Sequence, residues 1–219
     1  MMIQLSDELS DRPVVAVLRA AGADRFLEVS AVLADAGFGA VEFTLTTPGA
    51  VEAIAAARVA LPGLLIGAGT VRTLEQVHQA IDAGASFLVS QVTSAALVSA
   101  AAARGVPFIP GALTPNEIVA AWELGVQAVK VSPVGPVGGV DYISELVGPL
   151  PDIALMPTGL VRIDEAGDYL SAGAAVVGIS RDLTRDALLP GGDLQGLAER
   201  AARVIRSVDV QRQLTRSEQ

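Results

Sequence analysis

The chain of 219 residues contains no cysteine. Disulfides, thiolate metal sites and cysteine nucleophiles are therefore excluded. His78 is the only histidine and lies mid-pattern in a helical segment (LEQVHQAI), where it reads as a surface residue. Neither a histidine cluster for a metal nor a Ser–His–Asp triad is available. No apolar run approaches the roughly 18 residues of a membrane span. The opening MMIQLSDELSDRP lacks the basic and apolar regions of a signal peptide. The expected setting is the cytoplasm, with no membrane partner. Cations are scarce: the formal net charge is -9 and the sequence pI about 4.6. That balance argues against nucleic acid as a partner, and an anionic substrate has to be held by local cations and backbone N–H groups. Aromatics make up 4% of the chain, so Ala, Val, Leu and Ile must pack the core. Scarcest of the charged residues is lysine: Lys130 is alone among fourteen arginines.

What the chain does have is a rhythm. Short β-rich runs alternate with Ala-rich helical segments. Strands are expected at 14–18, 40–45, 64–68, 86–90, 107–109, 128–132, 153–156 and 175–178, and helices at 24–36, 48–60, 73–83, 94–103, 115–124, 140–147, 164–171 and 194–207. Thr73 with Gln76, and Thr114-Pro115 with Glu117, have the pattern of helix starts. Gly37, Gly84, Gly105, Gly125 and Gly173 stand where helices should stop. Strands alternating with helices imply parallel βαβ units. Eight of them favour an α/β fold of the single (β/α)8 TIM-barrel type, for which this length suffices. An open dinucleotide-binding sheet fits less well, because Gly67-Ala68-Gly69-Thr70 lacks the third glycine of that fingerprint. One domain over residues 1–219 is expected, with a short helix at 5–9 and a frayed polar tail at 211–219.

Three charges interrupt otherwise apolar strands: Arg19 in VVAVLR, Glu42 in VEFTL and Lys130 in AVKVSP. Side chains alternate faces along a strand. Val129 and Val131 then face the helices, leaving Ala128, Lys130 and Ser132 inside. Val41, Phe43 and Leu45 likewise leave Glu42 and Thr44 inside, and Val15, Val17 and Arg19 share one face. Glu42 and Lys130 could form a structural ion pair, and Arg19 could be a solvated strand end. The arginine bias speaks for a chemical role at Lys130, because lysine, unlike arginine, can lose its proton when desolvated and attack a carbonyl. A carboxylate nearby can move protons. The loops Pro157-Thr158-Gly159 and Gly178-Ile179-Ser180 stand where many barrels bind phosphate, with Arg162 and Arg181 nearby, or are ordinary turns. Thr70 either binds substrate oxygens or caps a helix.

These segments, with IGAGTV, FIPGALTPNE and MPTG, occur in an order that resembles the family of 2-keto-3-deoxy-6-phosphogluconate (KDPG) aldolase and 4-hydroxy-2-oxoglutarate aldolase, over about residues 14–180. The resemblance implies a class I aldolase without metal or other cofactor. It makes Lys130 the imine-forming nucleophile and Glu42 the proton carrier. Arg19, Thr70, Thr158, Gly159, Gly178 and Ser180 become substrate-binding residues, and the assembly a homotrimer. The substrate is a 2-keto-3-deoxy or 4-hydroxy-2-keto acid, cleaved to pyruvate and an aldehyde. Five positions depart from the family pattern: Thr46 stands where a second Arg is usual, Gln91 where Pro is, Ser132 where Phe is, and Leu160 and Ile179 where Gly is. A phosphosugar isomerase or epimerase without an imine, and a non-catalytic keto-acid-binding barrel, are the alternatives.

Overall fold

A computed structural model describes residues 12–217; the helix expected at 5–9 lies outside them. The chain runs β1 (Val14–Leu18), α1 (Phe26–Asp35), β2 (Ala40–Thr44), α2 (Ala50–Ala60), β3 (Leu65–Gly69), α3 (Leu74–Asp82), β4 (Phe87–Val89), α4 (Ala95–Ala103), β5 (Phe108–Ile109), β6 (Gly111–Ala112), α5 (Pro115–Trp122), β7 (Val129–Val131), α6 (Val140–Val147), β8 (Leu155–Pro157), α7 (Ala166–Ser171), β9 (Val177–Ile179), α8 (Arg181–Thr184) and α9 (Leu194–Ser217). All strand pairings are parallel. This is an α/β fold.

The strands form two sheets rather than the one continuous ring expected. One has six strands in the order β5-β4-β3-β2-β1-β9, the other three in the order β6-β7-β8. The strand expected at 107–109 is β5, and beyond Pro110, which has no N–H to give a ladder, the chain forms a second short strand, β6, that was not expected. Ser90 N–H reaches Ile109 O on one side of that break, and Lys130 N–H reaches Pro110 O on the other. Between β8 and β9 a single bridge joins Thr158 to Gly178.

Apolar residues sort into two clusters by strand parity. The outer one packs Val14, Ala16, Leu18, Val41, Phe43, Val129 and Val131 against the helices. There Phe26 of α1 meets Phe43 of β2, ring centroids 4.8 Å apart. Each such fully buried Phe or Leu contributes about 1.5–3 kcal/mol. The inner cluster contains Val15, Ala40, Phe87, Val89, Ile109, Ala128, Met156 and Val176, with no helical residue. The strand ends of β1, β2 and β7 therefore point where the alternation predicted.

Helix boundaries follow local chemistry. Thr114 Oγ1 accepts from Glu117 N–H while the Glu117 carboxylate accepts from Thr114 N–H, a complete capping box. Those backbone donors, Thr114 first and Leu113 next, hold the Glu117 carboxyl below its usual range. The five predicted stop glycines all adopt positive φ, from 69° to 104°. Two elements go beyond the expected helices. The tail continues α9 to Ser217, because its Arg, Gln and Leu residues are good helix formers. The short α8 after β9 is an additional element. No helix among the described residues is long and apolar enough to cross a membrane.

Tyr169 of α7 is 1% exposed. Burial, reinforced by Glu165, pushes its phenol up to about 12. An unfolded chain ionises this phenol near its ordinary value of 10.0. The contribution to stability is thus complete below that pH and is lost as pH rises towards about 12. Urea titrations across this window should show wild type losing stability more steeply than Tyr169→Phe; parallel curves would contradict the assignment.

Candidate active site

Two ionisable side chains sit on the inner face of the strands. Glu42, in the middle of β2, is 0% exposed, and neither carboxylate oxygen has a hydrogen-bond partner. Lys130, in the middle of β7, is 5% exposed. It lies in register with Gly111 and Met156, and Met156 belongs to the inner cluster. No ion pair among the described residues includes either group. The structural-pair alternative therefore has no bond to rest on. A buried carboxylate without partners is costly, and such costs are concentrated where a site acts on something else.

Glu42 lies directly over β3. A Cβ built on Gly69 would stand 1.8 Å from Glu42 Oε1 and 2.4 Å from its carboxyl carbon. Gly69 is therefore the floor on which the carboxylate rests. Gly69, within IGAGTV, was not among the expected site residues; it pairs in register with Thr44, two residues along β2 from Glu42, a contact between strands that no local pattern in the sequence marks.

Arg19 extends from the end of β1 across the ends of β2 and β3. Its Nη1 donates to Thr46 Oγ1 at 2.6 Å and its Nη2 to Thr70 Oγ1 at 2.9 Å. Thr70 has φ 60°, a left-handed conformation that a β-branched residue rarely adopts. Such outliers persist where surroundings enforce them, commonly at functional sites. Of the two roles left open for Thr70, helix capping falls to Thr73, whose hydroxyl accepts from Gln76 N–H.

The loops after β8 and β9 lie side by side. Thr158 is 5% exposed, and its hydroxyl donates to Met156 O at 3.4 Å. Gly159 has φ 92°, and a Cβ there would meet Pro133 Cα at 3.0 Å and Ser132 Oγ at 3.2 Å. The carbonyls of Thr158 and Gly159 accept from Val134 and Gly135. The N–H groups of 159–161 enter none of these loop bonds. Ser180 Oγ donates to Val17 O at 2.9 Å. Gly178, expected where the last strand passes into its loop, lies in the middle of β9, in register with the inner residue Val15, because the strand starts two residues later and ends one residue later than anticipated. A Cβ there would meet Thr158 Oγ1 at 2.7 Å.

Beside these loops opens a cavity of about 640 Å³, lined in part by Leu160, Ser180 and four arginines: Arg162, Arg181, Arg185 and Arg203. Asp182 pairs with Arg185 at 3.3 Å, and Asp164 pairs with Arg203. The lining is cationic in a chain of net charge -9.

The remaining departures also have defined places. Gln91 Nε2 donates to Ser132 O at 3.1 Å, and both residues line a cavity of about 350 Å³ near the end of β7. Ile179 is fully buried in the outer cluster, so its side chain points away from the loop. Leu160 is 67% exposed and keeps φ 60°, the backbone form that a glycine would favour. Among the described residues no group of three or more His, Cys, Asp or Glu could hold a metal.

Residues 5–199 match the family model described as KDPG and KHG aldolase. A 2-dehydro-3-deoxy-phosphogluconate aldolase of Haemophilus influenzae is 35% identical over 168 residues, covering 77% of this chain and 79% of the relative. A solved structure described as native KDPGal is 31% identical, with TM-score 0.85, covering 97% of this chain and 100% of its own. A KDPG aldolase of Legionella pneumophila, solved with pyruvate captured as a covalent carbinolamine intermediate, is 27% identical. Its TM-score is 0.82, with 90% of this chain and 96% of its own covered.

Leu160 allows a direct test of the loop. Glycine accepts φ 60° without a Cβ penalty, and the exposed leucyl group contributes little burial. Leu160→Gly should leave stability unchanged or raise it by up to about 1 kcal/mol, measured by urea denaturation. A loss larger than that would mean that the leucine is itself a packing element.

Proposed function

The chain belongs to the KDPG and KHG aldolase family, and on that premise we propose that it is a class I aldolase, an aldehyde-lyase working through an imine at Lys130. Its substrates are acids resembling 2-keto-3-deoxy-6-phosphogluconate or 4-hydroxy-2-oxoglutarate. The Lys130 amine adds to the C2 carbonyl, and the carbinolamine hydroxyl takes a proton from solvent and leaves as water, giving a protonated imine; that proton returns to solvent when the imine is later hydrolysed. Glu42 takes the proton of the C4 hydroxyl as the C3–C4 bond breaks. The bonding pair moves towards the imine nitrogen, and the aldehyde leaves. The resulting enamine is protonated at C3, and water hydrolyses the imine, releasing pyruvate and restoring the amine. No metal takes part.

The observation that carries this reading is the pair of buried, mutually unbonded groups, Lys130 and Glu42, on the inner face of the strands. Arg19 and Thr70 receive the substrate carboxylate. Thr158, Gly159, Gly178 and Ser180 surround the far end: Gly159 leaves its N–H available, and Gly178 keeps the space beside Thr158 Oγ1 open. The arginine-lined cavity favours an anionic group there.

The two sheets work in this proposal as one closed (β/α)8 barrel and one domain. Three features favour closure: the inner cluster draws on strands from both sheets, Thr158 bridges to Gly178, and adjacent residues Ile109 and Pro110 bond to opposite sheets. A homotrimer is the assembly that the family resemblance implies.

Borohydride added with pyruvate should place a reduced pyruvyl adduct on the peptide containing Lys130, seen by mass spectrometry, and Lys130→Ala should carry neither adduct nor cleavage activity. An unmodified Lys130 in folded protein would sink the mechanism. Gly69→Ala is expected to displace the Glu42 carboxylate and lower turnover by about 10- to 100-fold, with a folded circular dichroism spectrum. Wild-type turnover in that variant would remove Glu42 from the proton transfer.

A further inference from the structure

The turn after β2 reads Thr44-Leu45-Thr46-Thr47, and its three hydroxyls meet three consecutive residues at the end of β1. Thr44 Oγ1 donates to Leu18 O at 3.1 Å, Ala20 N–H donates to Thr47 Oγ1 at 3.2 Å, and Arg19 Nη1 donates to Thr46 Oγ1 at 2.6 Å. Thr44 and Thr47 are buried, and their hydroxyls lie 3.2 Å apart. They fix the backbone on either side of Arg19. Thr46 is exposed, and its hydroxyl meets the guanidinium end of this arrangement.

We infer that Thr46 is the positioning residue for Arg19, setting the guanidinium so that the keto-acid carboxylate is read by one arginine held between two threonine hydroxyls. This rests on the proposed aldolase reading, in which Arg19 meets that carboxylate. A guanidinium is a rigid planar fork with five donors. Thr46 accepts from one arm and Thr70 from the other, so the plane is fixed at two points and the remaining donors keep one direction. Thr70 is itself held in a sparsely populated backbone conformation. A hydroxyl that accepts from arginine still has its own proton to donate to an anionic oxygen. An exposed bond of this kind adds little to stability; its effect lies in how often the fork is correctly oriented, which a ligand reads as affinity.

The test uses full-length protein and pyruvate, with borohydride trapping at Lys130 followed over a range of pyruvate concentrations. Thr46→Val removes the acceptor at nearly constant volume and should raise the half-saturating pyruvate concentration about fivefold, with the plateau trapping rate unchanged. Thr46→Ser should restore wild-type behaviour. Hydroxyacetone, a ketone without a carboxylate, should be trapped equally by wild type and Thr46→Val. In an Arg19→Gln background the Thr46→Val change should have no further effect. An unchanged half-saturation, an equal loss with hydroxyacetone, or a full effect without Arg19 would each overturn the assignment. Calorimetric pyruvate binding without borohydride reads the same ratio. Failure of wild type to be trapped therefore counts against the imine, while the binding ratio still decides Thr46.

Discussion

The inner face of the strands has a fixed volume, and nearly every feature of the candidate site answers to that limit. Helices cover the outer face, whereas the inner face is covered only by the strands' own alternate side chains. A large group there needs an absent one opposite. A Cβ on Gly67 would stand 2.3 Å from Phe87, one on Gly69 1.8 Å from Glu42, and one on Gly178 3.2 Å from Met156. Small and large positions interlock, and one of the three pairs is Gly69 with Glu42. Close packing makes such an arrangement intolerant of added methyl groups.

This complementarity explains what was legible in the sequence. Period-two alternation fixes the face of every strand residue once the strand is found, so the inward placement of Glu42 and Lys130 followed from their apolar neighbours alone. Stop glycines and the Thr114–Glu117 box were readable because their chemistry is confined to one turn of chain. Contacts between elements were not. Arg19 and Thr46 are 27 positions apart, and nothing local announces their bond. Glu42 over Gly69 is of the same kind. The break at Pro110 was visible in FIPGAL, but whether a proline ends a strand or only notches it depends on what its neighbours bond to.

The departures from the family pattern do not act in one direction. Leu160 adopts a backbone form that glycine favours, and Ile179 turns outward, so neither side chain enters the space between the β8 and β9 loops. Thr46 instead exchanges a charge for a hydroxyl and adds a bond to Arg19. Positive charge is unequally placed: a single arginine stands at the ends of β1 to β3, whereas four, two of them paired with Asp182 and Asp164, line the cavity beside the β8 and β9 loops.

The solitary lysine has a further consequence. Lys130 is the only primary amine among the side chains, and it is 5% exposed. The folded exterior therefore presents its side-chain cations as guanidinium groups. Aldehydes, which condense with amines, meet no lysine on that surface. A protein that releases aldehydes all its working life is thereby spared one common form of self-inflicted chemical ageing.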